Sequence, residues 1–111
     1  MAVDVESIMR AVSSPRRRRI LQLVWTKELS AGDIAEQFDV TWGAVSQNLR
    51  VLRDANLLET RREGTHRYYR AIPEALGPVR AVLEQMWQSD LARLKHAVEA
   101  DMQGRRRSNG G

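Results

Sequence analysis

The stretch Thr41-Trp-Gly-Ala-Val-Ser-Gln-Asn-Leu-Arg-Val-Leu-Arg53 decides the fold. Wound at about 100° per residue, it gathers Val45, Leu49 and Leu52 into an arc of roughly 60°, while Trp42, Gly43, Ser46, Gln47, Arg50 and Arg53 share a separate arc of roughly 140°. One face is built for burial and the other for contact. Thr41 stands where an N-cap belongs, and Val40 is placed to staple onto Val45. Arg50 and Arg53 are the only charged residues between 41 and 53, so the outer face is cationic and also carries an amide. Gln pairs bidentately with adenine and Arg with guanine, the chemistry that a helix in a DNA major groove requires. Trp42 has two readings, against a sugar or thymine methyl of DNA, or folded back onto Phe38.

Immediately upstream, Ser30 with Asp33 makes a short-armed capping box and Leu29 with Ile34 a hydrophobic staple, which predicts a helix ending near Phe38. About three residues then lead into the helix that follows Thr41, and two helices so joined form a helix-turn-helix. Further back, Ser14 caps a helix with Pro15 in its first turn and an apolar stripe of Ile20, Leu21, Val24 and Trp25. Val5, Ile8, Met9 and Val12 mark a short amphipathic helix over residues 3–12. Arg16, Arg17, Arg18 and Arg19 lie about 100° apart and cannot all face one partner, so they read as a solvated face. Cations at a helix N-terminus oppose its dipole, however, and a phosphate beside one or two of them would offset that cost.

Downstream, Asn56 is a left-handed helix stop, and the period of the chain then changes. Residues 57–62 and 65–71, rich in Thr, Tyr and Arg, flank Glu63-Gly64 and predict a two-stranded hairpin with a tight turn. With Glu63 and Gly64 as the loop, Arg62 faces Thr65, Arg61 faces His66, Thr60 faces Arg67 and Leu58 faces Tyr69. The base is apolar and the tip cationic. Arg61, Arg62 and Arg67, with His66 as a further donor, suit an arm lying against phosphates or in a minor groove. Beyond Pro73, a long helix over about residues 74–102 keeps Val79, Val82, Leu83, Met86, Trp87, Leu91, Leu94 and Val98 at spacings of three and four. A small domain cannot cover that much apolar surface alone, so a dimer through this helix and the first one is expected, with Trp25 and Trp87 in core or interface.

The chain has 111 residues, 42% of them apolar, enough for one domain and one modest core. Its formal charge is +4, but three of those cations are Arg105, Arg106 and Arg107, in a stretch over 104–111 with nothing apolar to bury. The expectation is a single domain over 1–103 followed by a disordered basic tail. The remaining body is nearly neutral, so the arrangement of its charges matters more than their sum. With no cysteine there is no disulfide, thiolate metal site or Cys nucleophile. No apolar run reaches the roughly 18 residues of a membrane span, and a cytoplasmic protein without membrane partners is expected. His66 and His96, the only histidines, sit in no catalytic pattern, and no Gly-rich phosphate loop is present, so the chain does not read as an enzyme.

Four segments together resemble the ArsR/SmtB winged helix-turn-helix repressors: Ser14-Pro-Arg-Arg-Arg-Arg-Ile-Leu21, Ser30-Ala-Gly-Asp-Ile-Ala35, Ala44-Val-Ser-Gln-Asn-Leu-Arg-Val-Leu52 and Arg62-Glu-Gly-Thr-His-Arg-Tyr-Tyr69. The resemblance covers about residues 3–100. It implies a mainly α fold of about five helices with a two-stranded wing, and a homodimer, paired through the terminal helices, that represses transcription from an imperfect palindrome. Residue by residue, it makes Ser46, Gln47 and Arg50 the recognition-helix contacts and Arg61, Arg62, His66 and Arg67 the wing contacts, with Thr41, Trp42 and Gly43 at the start of the recognition helix. Many such repressors release DNA on binding a metal. Here the thiolate site is absent, and of the site on the last helix only His96 and Glu99 match, with Leu83 and Gln85 where an Asp and a His belong. That is too few ligands, even with Asp90 or Asp101 from a partner subunit. No cofactor is therefore expected, and the chain resembles the members with no metal or an unknown signal, for which a separate sensor protein is one arrangement. The alternatives are an interaction module that keeps the dimer face and has lost DNA contacts, and a metal-responsive sensor using His96 and Glu99.

Overall fold

Side-chain oxygens open the helices. Asp4 Oδ1 accepts from Ser7 N at 3.2 Å, Ser14 Oγ from Arg17 N at 3.3 Å, Ser30 Oγ from Asp33 N at 3.1 Å and Thr41 Oγ1 from Ala44 N at 3.1 Å. Each bond satisfies one orphan amide and contributes about 1 kcal/mol. The computed structural model describes residues 4–109, with side chains as far as Gly104. In chain order they form α1 (Val5–Val12), α2 (Pro15–Leu23), β1 (Leu29–Ser30), α3 (Ala31–Ala35), α4 (Trp42–Asp54), β2 (Leu58–Glu63), β3 (His66–Ala71), a 3-10 turn (Pro73–Leu76) and α5 (Val79–Asn109). Val3, the expected start of the first helix, lies outside the described residues.

The helix-turn-helix is α3 and α4. α3 is shorter than its sequence suggests, because the amides of Gln37 and Phe38 bond to carbonyls three residues back, those of Ile34 and Ala35, and tighten the end into a 3-10 turn. The connection is therefore residues 36–41 and not about three residues. At the far end of α4, Asn56 takes φ 61°. Leu57 N then reaches back to Leu52 O and Asn56 N to Arg53 O, the two bonds of a Schellman stop.

The sheet has three antiparallel strands in the order β1-β3-β2, one more than expected. β1 is two residues long, too short to leave a periodic signal, and pairs Leu29 with Tyr69 and Ser30 with Tyr68. The hairpin register also differs from the expected one. Arg62 stands opposite Arg67, Arg61 opposite Tyr68, Thr60 opposite Tyr69 and Glu63 opposite His66, so the loop is Gly64-Thr65. Gly64, at φ 61°, occupies the first loop position, where a type II′ turn places glycine. The shift is two residues across the pair, so each side chain keeps the face it was expected to have.

Ile8, Val12, Ile20, Leu21, Val24, Ile34, Val45, Leu49, Leu52, Leu57, Leu58, Tyr69, Leu76, Val79 and Leu83 form one buried core. Each large apolar side chain in it contributes about 1.5 to 3 kcal/mol of transfer free energy. The last helix begins at Val79, not at residue 74. Gly77 takes φ 54° and precedes Pro78, and the residue before a proline is pushed out of the α region, so residues 73–76 close as a separate turn. Past Leu83 the burial of α5 fades, and Leu91, Leu94, Val98 and Met102 are at least half exposed. The segment from 104, expected to be disordered, continues α5 as far as Asn109.

Candidate nucleic-acid interface

Val45, Leu49 and Leu52 pin α4 to the core, and this turns its other side outward. Thr41, Trp42, Gly43, Ser46, Gln47 and Arg50 are all exposed, and Trp42 keeps 58% of its surface in solvent. An open groove of about 390 Å³ runs between α4 and β3, bounded by Trp42, Gly43, Ser46, Gln47, Arg50, Arg53, Arg67 and Tyr69. The structure thus brings together the recognition-helix residues and one wing residue, Arg67, from more than a dozen positions further along the chain. Arg53 lies at the far end of the groove with Asp54 3.8 Å away.

The wing sorts its cations by strand parity. Arg62 and Arg67 are a directly opposed pair on the face that also carries Leu58, Tyr69 and Ala71, the buried side of the sheet base. Like charges set opposite one another repel. Among the described residues, neither of them nor Arg50 forms an ion pair. Arg61, also expected to contact DNA, is committed elsewhere on the other face. Its Nη2 donates to Glu28 Oε1 at 2.7 Å, its Nη1 to Glu63 Oε2 at 2.8 Å, and its guanidinium lies 4.6 Å from the Tyr68 ring centre. The hydrogen bond from Arg61 holds the Glu28 carboxyl below the usual carboxylate range, and Glu28 and then Glu63 raise the guanidinium above its own. Arg61 therefore braces the wing against the segment before β1. His66 shares that outer face, opposite Glu63 and with its ring 6.3 Å from that of Tyr68.

Residues 14–60, which span α2 to the start of the wing, match the family model described as bacterial regulatory protein, arsR family. The transcriptional repressor SdpR of Bacillus subtilis is 35% identical over 65 residues, 59% of this chain and 72% of that protein. The HTH-type transcriptional regulator Rv2034 of Mycobacterium tuberculosis is 30% identical over 92 residues, 83% of this chain and 86% of that protein. The chain belongs to the ArsR family. Its fold is also that of a solution structure from Mycobacterium bovis, described as a homodimeric winged helix-turn-helix DNA-binding domain, at a TM-score of 0.65 and 31% identity over 76% of this chain and 78% of that one.

In this ArsR-family chain two of the four consecutive arginines of α2 are structural, which the sequence reading missed. Arg18 is 6% exposed and grips Asp90 of α5 through two bonds, Nε to Oδ2 at 2.8 Å and Nη2 to Oδ1 at 2.9 Å. The hydrogen bond from Arg18 holds the Asp90 carboxyl below its usual range, with Arg93 adding to the effect. Arg17 is half-buried, and burial lowers its guanidinium. It reaches Asn48, which is buried on α4. A signal existed: Arg17 and Arg18 sit four and three residues before Leu21, on the stripe that the helix buries. Trp25 and Trp87 meet edge to face, 4.9 Å between ring centres, and Trp87 Nε1 donates to Arg18 O at 2.9 Å.

His96 and Glu99 are exposed on α5, and among the described residues no three His, Asp or Glu side chains gather. Both oxygens of Asp90, a donor considered from a partner subunit, are already taken by Arg18. No described helix is long and apolar enough to cross a membrane.

Proposed function

We propose that this ArsR-family chain is a transcriptional repressor that binds a palindromic operator in duplex DNA as a homodimer. α4 enters the major groove, Gln47 and Arg50 read base edges with Ser46 beside them, and Arg62 and Arg67 hold the flanking backbone. The observation that carries this reading is the set of unpaired cations. Arg50 and Arg67 line one groove and Arg62 stands directly opposite Arg67 at a cost in repulsion, and among the described residues none of the three has an acidic partner. Phosphate neutralises such a cluster. An interaction module would have no use for it.

The homodimer reading rests on α5. Leu91, Leu94, Val98 and Met102 follow one another at spacings of three and four and are exposed in the single chain. Pairing that seam across a two-fold axis would set two recognition helices in successive major grooves, about 34 Å apart. Repression then follows from occlusion of the promoter, and in this reading the chain holds no metal of its own, so release falls to another signal or to a separate sensor protein. Nuclease footprinting on DNA upstream of the chain's own coding sequence, with chelator and with individual divalent metals, tests all of this. The expected result is a two-fold symmetric footprint indifferent to both; no footprint under any condition sinks operator binding, and one that appears or vanishes with a metal sinks the metal-free reading.

A further inference from the structure

α1 ends on the carbonyls of Arg10, Ala11 and Val12, and two consecutive guanidinium groups of α2 take all three. Arg17 donates through Nε to Ala11 O at 2.6 Å and through Nη2 to Arg10 O at 3.1 Å. Arg18 donates through Nη1 to Val12 O at 2.9 Å. With the forks seated on one helix end, their remaining donors diverge. Arg17 Nη1 reaches Asn48 Oδ1 at 3.3 Å on the buried side of α4, and Asn48 Nδ2 is in turn bound to Ala44 O at 2.9 Å. Arg18 closes on Asp90 of α5, next to Leu91 of the exposed seam. One helix end thus ties the recognition helix to the helix that carries the proposed dimer contact.

We propose that Arg17 and Arg18 are positioning residues: together they hold α4 at a set place relative to α5, and so set the half-site spacing that the protein accepts. The inference rests on the operator-binding homodimer proposed above. A guanidinium fork is planar and has fixed donor directions, so two forks sharing one anchor transmit position in a way that flexible ammonium groups would not. Neither residue needs to touch DNA. Adding one base pair between half-sites moves the second one by about 3.4 Å and rotates it by about 36°. A rigidly linked pair of recognition helices rejects that change, and a loosened pair tolerates it.

The absence of cysteine makes the test clean, because Ser46→Cys labels α4 at a single site in each subunit. Pulsed electron resonance between nitroxides in the DNA-free dimer should give one narrow distance for this parent. Arg18→Gln and Asn48→Ala, each added to it, should broaden or shift that distance by about 3 Å, the scale of one base-pair step. In parallel, unlabelled proteins are titrated against a duplex that the wild type selects from a random library, and against the same duplex with one central base pair added or removed. The wild type should lose about tenfold on the altered duplexes and both variants only about threefold or less. Asn48→Ala keeps a strong helix former in α4 and carries the test if Arg18→Gln does not fold. An unchanged distance and unchanged spacing preference in folded Asn48→Ala overturns the proposal. A wild type that selects no palindrome, or shows no distance between subunits, overturns instead the dimer reading on which it rests.

Discussion

Gln47 and Arg67 stand on either side of one groove and are predicted to do different work. Gln47 is exposed on the outer arc of α4, where its amide matches the edge of adenine. Gln47→Ala should cost about 1 to 3 kcal/mol on the operator and little on random DNA. Arg67→Ala should weaken both and flatten the dependence of log affinity on log salt by about one unit. Titrations at several salt concentrations separate the two, and equal losses for Gln47→Ala on both DNAs would remove it as a base reader. The α4 residues were legible because a helix sorts its faces by local spacing alone. Arg61 was not, since its partner Glu28 lies 33 positions away in the chain. Charge type can be read from the sequence, but whether a cation is already neutralised depends on what the fold brings beside it.

Among the elements, α2 and α5 are joined by a charge pair whose pH dependence has a definite sign. The carboxyl of Asp90 is held below its usual range, by Arg18 first and Arg93 second. A group depressed in the folded state adds stability that is present above its unfolded value, about 4, and is lost as pH falls through the lower folded value. Urea unfolding midpoints for the wild type should therefore drop as the medium is acidified below about pH 4, and Asp90→Asn should show a shallower drop. Parallel acid limbs would mean that this pair contributes nothing to stability. The starts of α2, α3 and α4 were legible, because a cap is a contact three residues long, as Ser14, Ser30 and Thr41 show; that of α5 was not, because Gly77 and Pro78 close residues 73–76 as a separate turn. Strand β1 and the hairpin register were not. A strand of two residues exists only through Tyr68 and Tyr69 on its neighbour, and the choice of Gly64-Thr65 as the loop is made by the glycine's positive φ and by pairing along the whole hairpin.

For the whole molecule, the exposed run on α5 is the feature a single chain leaves unresolved. Leu91 is 61% exposed and Leu94 62%, and Leu91→Glu should give monomers by sedimentation and abolish binding to a palindrome. A variant that stays dimeric and binds fully would place the interface elsewhere. The net charge of +4 says little at this scale. The separation of charge says more, with Arg50 and Arg67 along the groove and Arg62 opposite Arg67, none of them ion-paired among the described residues, and Arg17, Arg18 and Arg61 turned to partners within the chain. By itself the sequence determined that five helices are present, the caps of α2, α3 and α4, the inward face of α4, the presence of a hairpin and the family, because each is encoded by residues within a few positions of one another. The tertiary structure alone decided which arginines are free and which are structural, the register of the wing, and the bond between α2 and α5. Those depend on partners up to 72 positions apart, and a side chain's partner at that distance is chosen by packing, which local spacing does not record.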